Sequence, residues 1–169
     1  MIEVEVKGRV SEEQMERVRD LISDWNLLGE EIQDDTYFSH PLRDFNESDE
    51  ALRIRIVGDN HTLTYKGPKL DSVSKTREEL EVPTSPEMEG ILERLGFRPV
   101  ARIRKTRRNY RREGMVLSID DVENLGTFIE IEADSNSPED ARGLLEIFDS
   151  LDLESETRSY LELFLEGSH

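Results

Sequence analysis

Acidic and basic residues recur at every second position in several short segments of this chain. The first such segment holds Glu3, Glu5 and Lys7, with apolar residues between them. Successive side chains of a β-strand point to opposite faces of the sheet, so residues two apart share a face. Two carboxylates on one face can bind a divalent cation through oxygen, and a lysine beside them can bind an anion. This segment therefore has the residue types for a metal and phosphate site.

Five further segments place a charged or polar face opposite an apolar one. They span residues 52–57, 62–66, 77–82, 115–120 and 128–132, and their polar faces carry Arg53, Arg55, Thr62, Thr64, Lys66, Arg77, Glu79, Glu81, Ser118, Asp120, Glu130 and Glu132. Arginine and lysine donate hydrogen bonds to phosphate oxygens, and arginine does so in bidentate fashion. Interleaved glutamates offset the mutual repulsion of such cations when no anion is bound.

These alternating segments predict strands, with residues 2–7 as the first. Weaker strand patterns cover residues 35–40 and 100–112, the latter as one long strand or two. A helix begins after Ser11, which has Gln14 three residues on, and two more begin at Ser85-Pro86 and Ser137-Pro138. A fourth helix is predicted over residues 157–166.

The pattern allows two arrangements of these elements. If the sheet closes into a barrel, the charged faces converge on its interior and the apolar faces lie outward under the helices. In the opposite arrangement the apolar faces form an ordinary core and the charged faces are solvated, as in most half-exposed sheets. Alternation alone leaves both open.

Length and charge limit the classes of protein to consider. The chain has 169 residues, which suits one domain over residues 1–166 with an unstructured end at 167–169. With 22 basic and 39 acidic residues its net charge is −17, which argues against nucleic acid as a partner. There is no cysteine, which removes thiolate metal sites, and we expect any metal to be bound by oxygen ligands.

The same composition bears on environment. No secretory signal or long apolar run is present, so we expect a cytoplasmic protein with no membrane association. Only five of the 22 basic residues are lysine, and this acidic, lysine-poor composition is typical of salt-adapted organisms. Because salt screens the repulsion between surface carboxylates, we expect stability and activity to require molar salt.

Several motifs occur in an order that resembles one known family. They are the EVEVK run at residues 3–7, DTYF at 35–38, LRIR at 52–55, TYKGP at 64–68, REE at 77–79, KTR at 105–107, Asp120, and LGTFIEIE at 125–132. Together they resemble the CYTH superfamily, which includes class IV adenylyl cyclases and thiamine triphosphatases and has an ExExK signature near its N-terminus. The resemblance covers residues 3–132, most of the chain.

The resemblance implies an α+β fold: a closed antiparallel β-barrel of about eight strands with helices outside, whose lumen binds a triphosphate with Mg²⁺ or Mn²⁺. It implies triphosphate binding by Lys7, Arg53, Arg55, Lys66, Lys105 and Arg107, with Lys7, Lys105 and Arg107 also catalytic. It implies metal binding by Glu3, Glu5, Asp120, Glu130 and Glu132, Asp120 being either a ligand or a supporting group. Glu79 or Glu81 would be a further acid of the lumen.

Two reactions fit such a site. A class IV adenylyl cyclase converts ATP to cyclic AMP and pyrophosphate, and the DTYF, TYKGP and LGTFIEIE runs resemble that branch most. The alternative is hydrolysis of inorganic, thiamine or nucleoside triphosphate. A third class is a sensor that binds nucleotide or polyphosphate without turnover. Family members are often homodimers, so self-association is a further expectation.

Overall fold

The structure is a computed structural model that describes residues 2–70, 72, 76–133 and 140–167. The side chains of Ile2, Glu3, Asp140 and Ala141 are outside this description. The predicted helix start at Ser137-Pro138 also lies outside the described residues. Among the described helices, none is long and apolar enough to cross a membrane.

Eight strands and five helices make up the described fold. The strands are β1 (Ile2–Arg9), β2 (Asn26–Ser39), β3 (Ala51–Val57), β4 (Asn60–Lys66), β5 (Arg77–Thr84), β6 (Arg98–Arg112), β7 (Met115–Val122) and β8 (Gly126–Ala133). The helices are α1 (Glu12–Leu21), α2 (Phe45–Ser48), α3 (Glu87–Arg94), α4 (Asp140–Ser150) and α5 (Tyr160–Gly167), with a 3₁₀ turn over Ile22–Asp24.

All strand pairs are antiparallel, and the sheet curls on itself in the order β5-β4-β3-β2-β6-β7-β8-β1. The ring returns from β1 to β5 through only two residue pairs, Ile2 with Glu78 and Glu3 with Arg77. By contrast, β1 pairs with β8 continuously from Val4 to Arg9. The predicted α+β, barrel-like fold is therefore confirmed, but closure is less complete than predicted because the sheet is open along most of the β1–β5 seam.

Strand β2 is longer than predicted. It runs from Asn26 to Ser39, whereas the sequence indicated a strand only over residues 35–40. Its first half pairs with β6 but is exposed, with Leu27 and Leu28 more than half accessible, so this half has no buried face to produce alternation. Its partner β6 is a single strand, which settles the choice between one strand and two.

Helix starts were predicted with mixed success. At α1 the capping box is present: the Ser11 hydroxyl accepts from the Gln14 amide and the Gln14 side chain accepts from the Ser11 amide. At α3 the predicted first-turn proline is confirmed, since Pro86 has helical backbone angles directly before Glu87, but the structure gives no side-chain capping hydrogen bond at this end. Helix α5 starts after Ser159, whose hydroxyl accepts from the Glu162 amide at 3.1 Å, and it includes Gly167, which was predicted to be unstructured.

The apolar faces of the strands point outward. Val4 and Val6 of β1 are fully buried in a cluster with Val18 of α1 and Phe148 of α4. A smaller cluster joins Leu92 of α3 to the outer faces of β2 and β3. The main hydrophobic core thus lies between sheet and helices, and the arrangement with the apolar faces enclosed by the sheet is excluded.

The segment between α4 and α5 runs beside β1. The Glu156 amide donates to the Lys7 carbonyl at 2.6 Å. A Cβ added at Gly8 would be 2.7 Å from the Glu154 carbonyl oxygen and 2.8 Å from the Phe148 ring. Glycine is therefore required at this position for close packing.

We expect Gly8→Ala to lower the free energy of unfolding by about 2 kcal/mol or more, because neither backbone nor ring can move away cheaply. Gly143→Ala in α4 is the matched control, since a Cβ there meets nothing within 4 Å, and alanine favours a helix by about 0.5–1 kcal/mol. Chemical denaturation of both variants checks this. Equal stability of the two would contradict the packing described here.

Candidate functional site

The charged faces of the strands meet inside the barrel. The Lys7 ammonium lies 4.2 Å from the centre of the Tyr160 ring, and the Lys105 ammonium lies 4.5 Å from the same ring. Lys7 is on β1 and Lys105 on β6, and these strands are separated in the sheet by β7 and β8. Side chains from these two strands can contact the same ring only if both extend into the interior of the barrel.

All six cations predicted from the sequence lie on the inner face. Lys7 is inaccessible to solvent, and Lys105 and Arg53 are also buried. The side chains of Arg55, Lys66 and Arg107 are less than one-fifth exposed. Burial of so many cations is costly unless each has carboxylates or hydrogen-bond acceptors nearby.

Arg107 is the centre of one such network. Its Nε donates to Asp120 Oδ1 at 2.7 Å, and one terminal nitrogen donates to Asp120 Oδ2 at 2.5 Å and to Glu130 Oε2 at 2.8 Å. Burial alone would lower the pKa of Arg107, but Glu130 and Asp120 outweigh it and raise that pKa. The guanidinium is therefore permanently charged.

Asp120 is fully buried and engaged on several sides. Besides Arg107, it accepts a hydrogen bond from the Tyr160 hydroxyl at 2.7 Å and lies 3.4 Å from the Lys105 ammonium. The Asp120 carboxylate of β7 thus contacts side chains of both β6 and α5.

A second network joins β2 to β3. Arg55 donates two hydrogen bonds to Asp35, each of 2.7 Å. Burial would raise the pKa of Asp35, but the hydrogen bonds and charge of Arg55 outweigh it and hold that pKa at about 2. Asp35 was not predicted as a site residue, although it shares its strand face with buried Gln33 and Tyr37.

Two cations in the interior have features that suit an anion. Burial alone would lower the pKa of Arg53, but Asp35, Tyr37 and Glu79 outweigh it and raise that pKa. Arg53 donates to the Thr64 hydroxyl at 3.3 Å, but its Nε is buried with no hydrogen-bond partner. Burial lowers the pKa of Lys105 to about 7, assisted by the positive charges of Arg107 and Arg55 and opposed by Asp120. The Arg53 Nε atom without a partner and the lowered pKa of Lys105 both indicate that an anion bound in the interior would be stabilised.

The predicted acids are divided between β1, β5 and β8. Glu5 is buried and pairs in register with Glu132, and Lys7 pairs with Glu130. Glu79 lies 3.4 Å from the Lys66 ammonium, while the more exposed Glu81 accepts from the Thr64 hydroxyl at 3.3 Å. Glu79 or Glu81 was predicted to be a further acid of the lumen. Glu79 is the more enclosed of the two, and Glu81 is exposed.

These acids fit a divalent cation by their chemistry. Among the side chains that the structure describes, no three acidic or histidine groups are close enough together to hold a metal ion alone. Mg²⁺ usually takes only one or two carboxylates, with substrate phosphates and water completing its coordination. Glu5, Glu130 and Glu132 suit such shared binding, and the side chain of Glu3 lies outside the description.

Arg77 and Tyr160 are further inward residues that were not assigned to the site from the sequence. Arg77 is buried and donates to the Gly67 carbonyl at 3.4 Å, and its position in the alternating 77–82 segment could have identified it. Tyr160 lies on a helix, so strand periodicity gives no signal for it.

A barrel-like sheet with a charged interior and its hydrophobic core outside defines an unusual class of β protein. The chain belongs to the CYTH family: the family model of the CYTH domain matches residues 1–160. This confirms the resemblance found in the sequence motifs.

Individual relatives agree with this membership. The chain is 41% identical to "Putative adenylate cyclase MJ0240" of Methanocaldococcus jannaschii, with 96% of this chain and 98% of that protein covered. The PH1819 protein of Pyrococcus horikoshii OT3 has a similar structure, with a TM-score of 0.88, 42% identity and coverage of 98% and 99% of the two chains. A Hippeastrum protein, described as a putative adenylyl cyclase with a dominant triphosphatase activity, has a TM-score of 0.76 at 24% identity, over 99% and 97% of the chains. At 24% identity, the similarity to the Hippeastrum protein shows a shared fold.

The Asp35–Arg55 pair predicts a pH-dependent stability. Because the pKa of Asp35 in the fold, about 2, lies below its ordinary 3.8, the charged carboxylate stabilises the protein fully above that ordinary value. The contribution is lost as the pH falls towards 2. We expect Asp35→Asn to lower the free energy of unfolding by roughly 2 kcal/mol at neutral pH and by progressively less below pH 4.

Asp34→Asn is the matched control for this measurement. Asp34 accepts two hydrogen bonds from Arg102 at 2.8 and 2.6 Å, but Arg102 is largely exposed. Such surface pairs contribute about 0–1 kcal/mol. Denaturation curves at neutral and acid pH distinguish the two, and equal losses would show that burial of Asp35 does not matter.

Proposed function

We propose that this protein is a metal-dependent enzyme acting on a triphosphate inside the barrel, and that its reaction is the conversion of ATP to cyclic AMP and pyrophosphate. The observation that carries this proposal is the set of enclosed cations, contributed by β1, β3, β4, β5 and β6, that face one another across the interior. A triphosphate carries about four negative charges, and several fixed arginine and lysine donors suit its oxygens.

Arg53 and Lys105 support binding of an anion there. A phosphate oxygen can accept from Arg53 Nε, which has no partner in the described structure. An anion beside Lys105 would also raise its pKa from about 7 and keep the ammonium charged. Lys7, Arg55, Lys66 and Arg107 complete the binding set.

We assign the metal to Glu3, Glu5, Glu130 and Glu132, with Mg²⁺ or Mn²⁺ as the ion. When bound, the ion would neutralise phosphate charge and stabilise the oxygens that enter and leave the phosphorus. Asp120 has a different role in this proposal. Because Arg107, Lys105 and Tyr160 already surround its carboxylate, it holds the cations in place and does not bind the metal.

In the cyclase reaction the ribose 3′-hydroxyl oxygen forms a bond to the α-phosphorus, and the bond from that phosphorus to the β-phosphate oxygen breaks. Pyrophosphate leaves with the electron pair, and the hydroxyl proton passes to solvent or a nearby base. The protein accelerates this by positioned charge: Lys7, Lys105 and Arg107 stabilise the negative charge that develops on pyrophosphate. No covalent intermediate with the protein is needed.

Hydrolysis of the terminal phosphate is the second candidate. The same cations and carboxylates serve it, with water attacking the terminal phosphorus instead of the ribose hydroxyl. The Hippeastrum protein, described as having a dominant triphosphatase activity, shares this fold and makes hydrolysis the reaction to test against cyclisation.

The test is incubation with ATP and either Mg²⁺ or Mn²⁺ in molar KCl, followed by chromatography of the nucleotides and phosphates. We expect cyclic AMP and pyrophosphate in equal amounts. ADP with phosphate, or turnover of inorganic or thiamine triphosphate alone, would assign the protein to the triphosphatases. Binding of these compounds without turnover of any of them would indicate that the protein is a sensor and not an enzyme.

Glu130→Gln tests the metal assignment. It removes one carboxylate charge and keeps the side-chain shape, so we expect metal-dependent turnover to fall by about 100-fold. Glu123→Gln is the control, since Glu123 is exposed and lies 3.9 Å from Arg104 at the outer surface. Full activity of Glu130→Gln, with an unchanged melting temperature, would exclude Glu130 as a metal ligand.

A further inference from the structure

Tyr160 is a buried inner residue with no part in the proposal above. It is the first residue of α5 and only 5% exposed, and its ring contacts Phe128 edge to face, with centroids 5.1 Å apart. Leu163, one turn further on, packs in the same cluster with Tyr37 and Ile103. The start of α5 is therefore fixed against one end of the barrel interior by apolar contacts.

Tyr160 has polar contacts with groups that we place in the triphosphate site. The Lys7 and Lys105 ammonium groups lie 4.2 and 4.5 Å from the ring centre. The hydroxyl donates to Asp120 at 2.7 Å, and Asp120 in turn accepts from Arg107. One side chain thus touches, directly or through one carboxylate, all three cations proposed to stabilise the leaving pyrophosphate.

The neighbouring backbone adds to this arrangement. The Lys7 ammonium also donates a hydrogen bond to the carbonyl of Arg158, two residues before Tyr160. Lys7 is therefore held by a carbonyl and an aromatic ring from the same short segment. Its ammonium has a defined position before any anion arrives.

An aromatic ring suits this task chemically. Two ammonium groups repel each other, and a carboxylate placed between them would compete with the phosphate for both. The face of a phenol ring attracts a cation through its quadrupole but carries no net charge, so it does not repel an incoming anion. Burial, together with Glu130 and Asp120, raises the pKa of Tyr160, so the hydroxyl remains protonated and remains a donor.

We propose that Tyr160 is a positioning residue for the reaction, which holds the Lys7 and Lys105 ammonium groups side by side so that both bind the same triphosphate. This inference rests on the proposed function, because it needs a triphosphate in the barrel. It assigns to α5 a part in substrate binding in addition to its packing role.

Three variants separate the ring, the hydroxyl and the helix packing. Tyr160→Leu removes both the ring and the hydroxyl but keeps an apolar side chain. Tyr160→Phe keeps the ring and removes the hydrogen bond to Asp120. Leu163→Ala is the control, since it weakens the packing of α5 without a described contact to either lysine.

The first measurement is calorimetric binding of inorganic tripolyphosphate, with the melting temperature of each variant. We expect Tyr160→Leu to weaken binding about tenfold or more, because both cation–π contacts are lost. Tyr160→Phe and Leu163→Ala should stay within about threefold of the wild type, although Leu163→Ala lowers the melting temperature. Binding by Tyr160→Leu that equals or exceeds that of Leu163→Ala would overturn the inference.

The second measurement reports lysine position without any ligand. In protein labelled with ¹³C at lysine Cε, the five lysines give five signals, which substitution of Lys7 or Lys105 by arginine assigns. We expect both signals to carry ring-current shifts in the wild type and Tyr160→Phe. In Tyr160→Leu the Lys105 signal should lose its shift, and the Lys7 signal should keep only the smaller part due to Phe128, whose ring centre lies 5.9 Å from the Lys7 ammonium. Absence of the shifts in the wild type would contradict the described geometry.

The two measurements distinguish failure of this inference from failure of the proposed function. If the wild type shows the ring-current shifts but does not bind tripolyphosphate, the proposed function fails and Tyr160 is left with a structural contact only. If the wild type binds and Tyr160→Leu binds equally well, the proposed function stands and the positioning role is wrong.

Discussion

Burial of positive charge is the constraint on which the rest of this structure depends. Removing an ion from water costs several kcal/mol even after the protein relaxes, so the inner cations are tolerated only beside carboxylates and hydrogen-bond acceptors. Asp35 and Asp120 meet this need at Arg55 and Arg107, with the two oxygens of each carboxylate used in a bidentate pair. Such pairs fix the direction of each guanidinium as well as its charge state.

This constraint explains where the hydrophobic core lies. An interior filled with charged pairs contributes little net stability, so the apolar faces of the strands must be buried elsewhere. Helices α1 and α4 cover the outer faces of β1, β7 and β8, where Val4, Leu117 and Ile131 are wholly inaccessible. The inner surface is thereby free to carry charge for binding, while the outer layer provides most of the hydrophobic stabilisation.

Residues of the inner face could be predicted from the sequence wherever charged and apolar residues alternate along a strand. Residues two apart on short strands share a face, so alternation in the sequence was enough to group Lys7, Arg53 and Lys66 with the charged faces. Lys105 was assigned through the KTR motif. The motifs of the CYTH family added the choice between inside and outside, which alternation cannot make. The first half of β2 escaped prediction because it is exposed on both faces, and Tyr160 because its position depends on how α5 docks.

The contact between Lys7 and Arg158 has a consequence for folding, because the two residues are 151 positions apart. Strand β1 is made before α5 on the ribosome, so the groups that orient its lysine emerge well after the lysine itself. Contacts of such long sequence separation form late and slow the search for the native state. A nascent chain that has completed the whole sheet therefore still lacks an organised anion site, and that site is assembled only once the start of α5 has been synthesised.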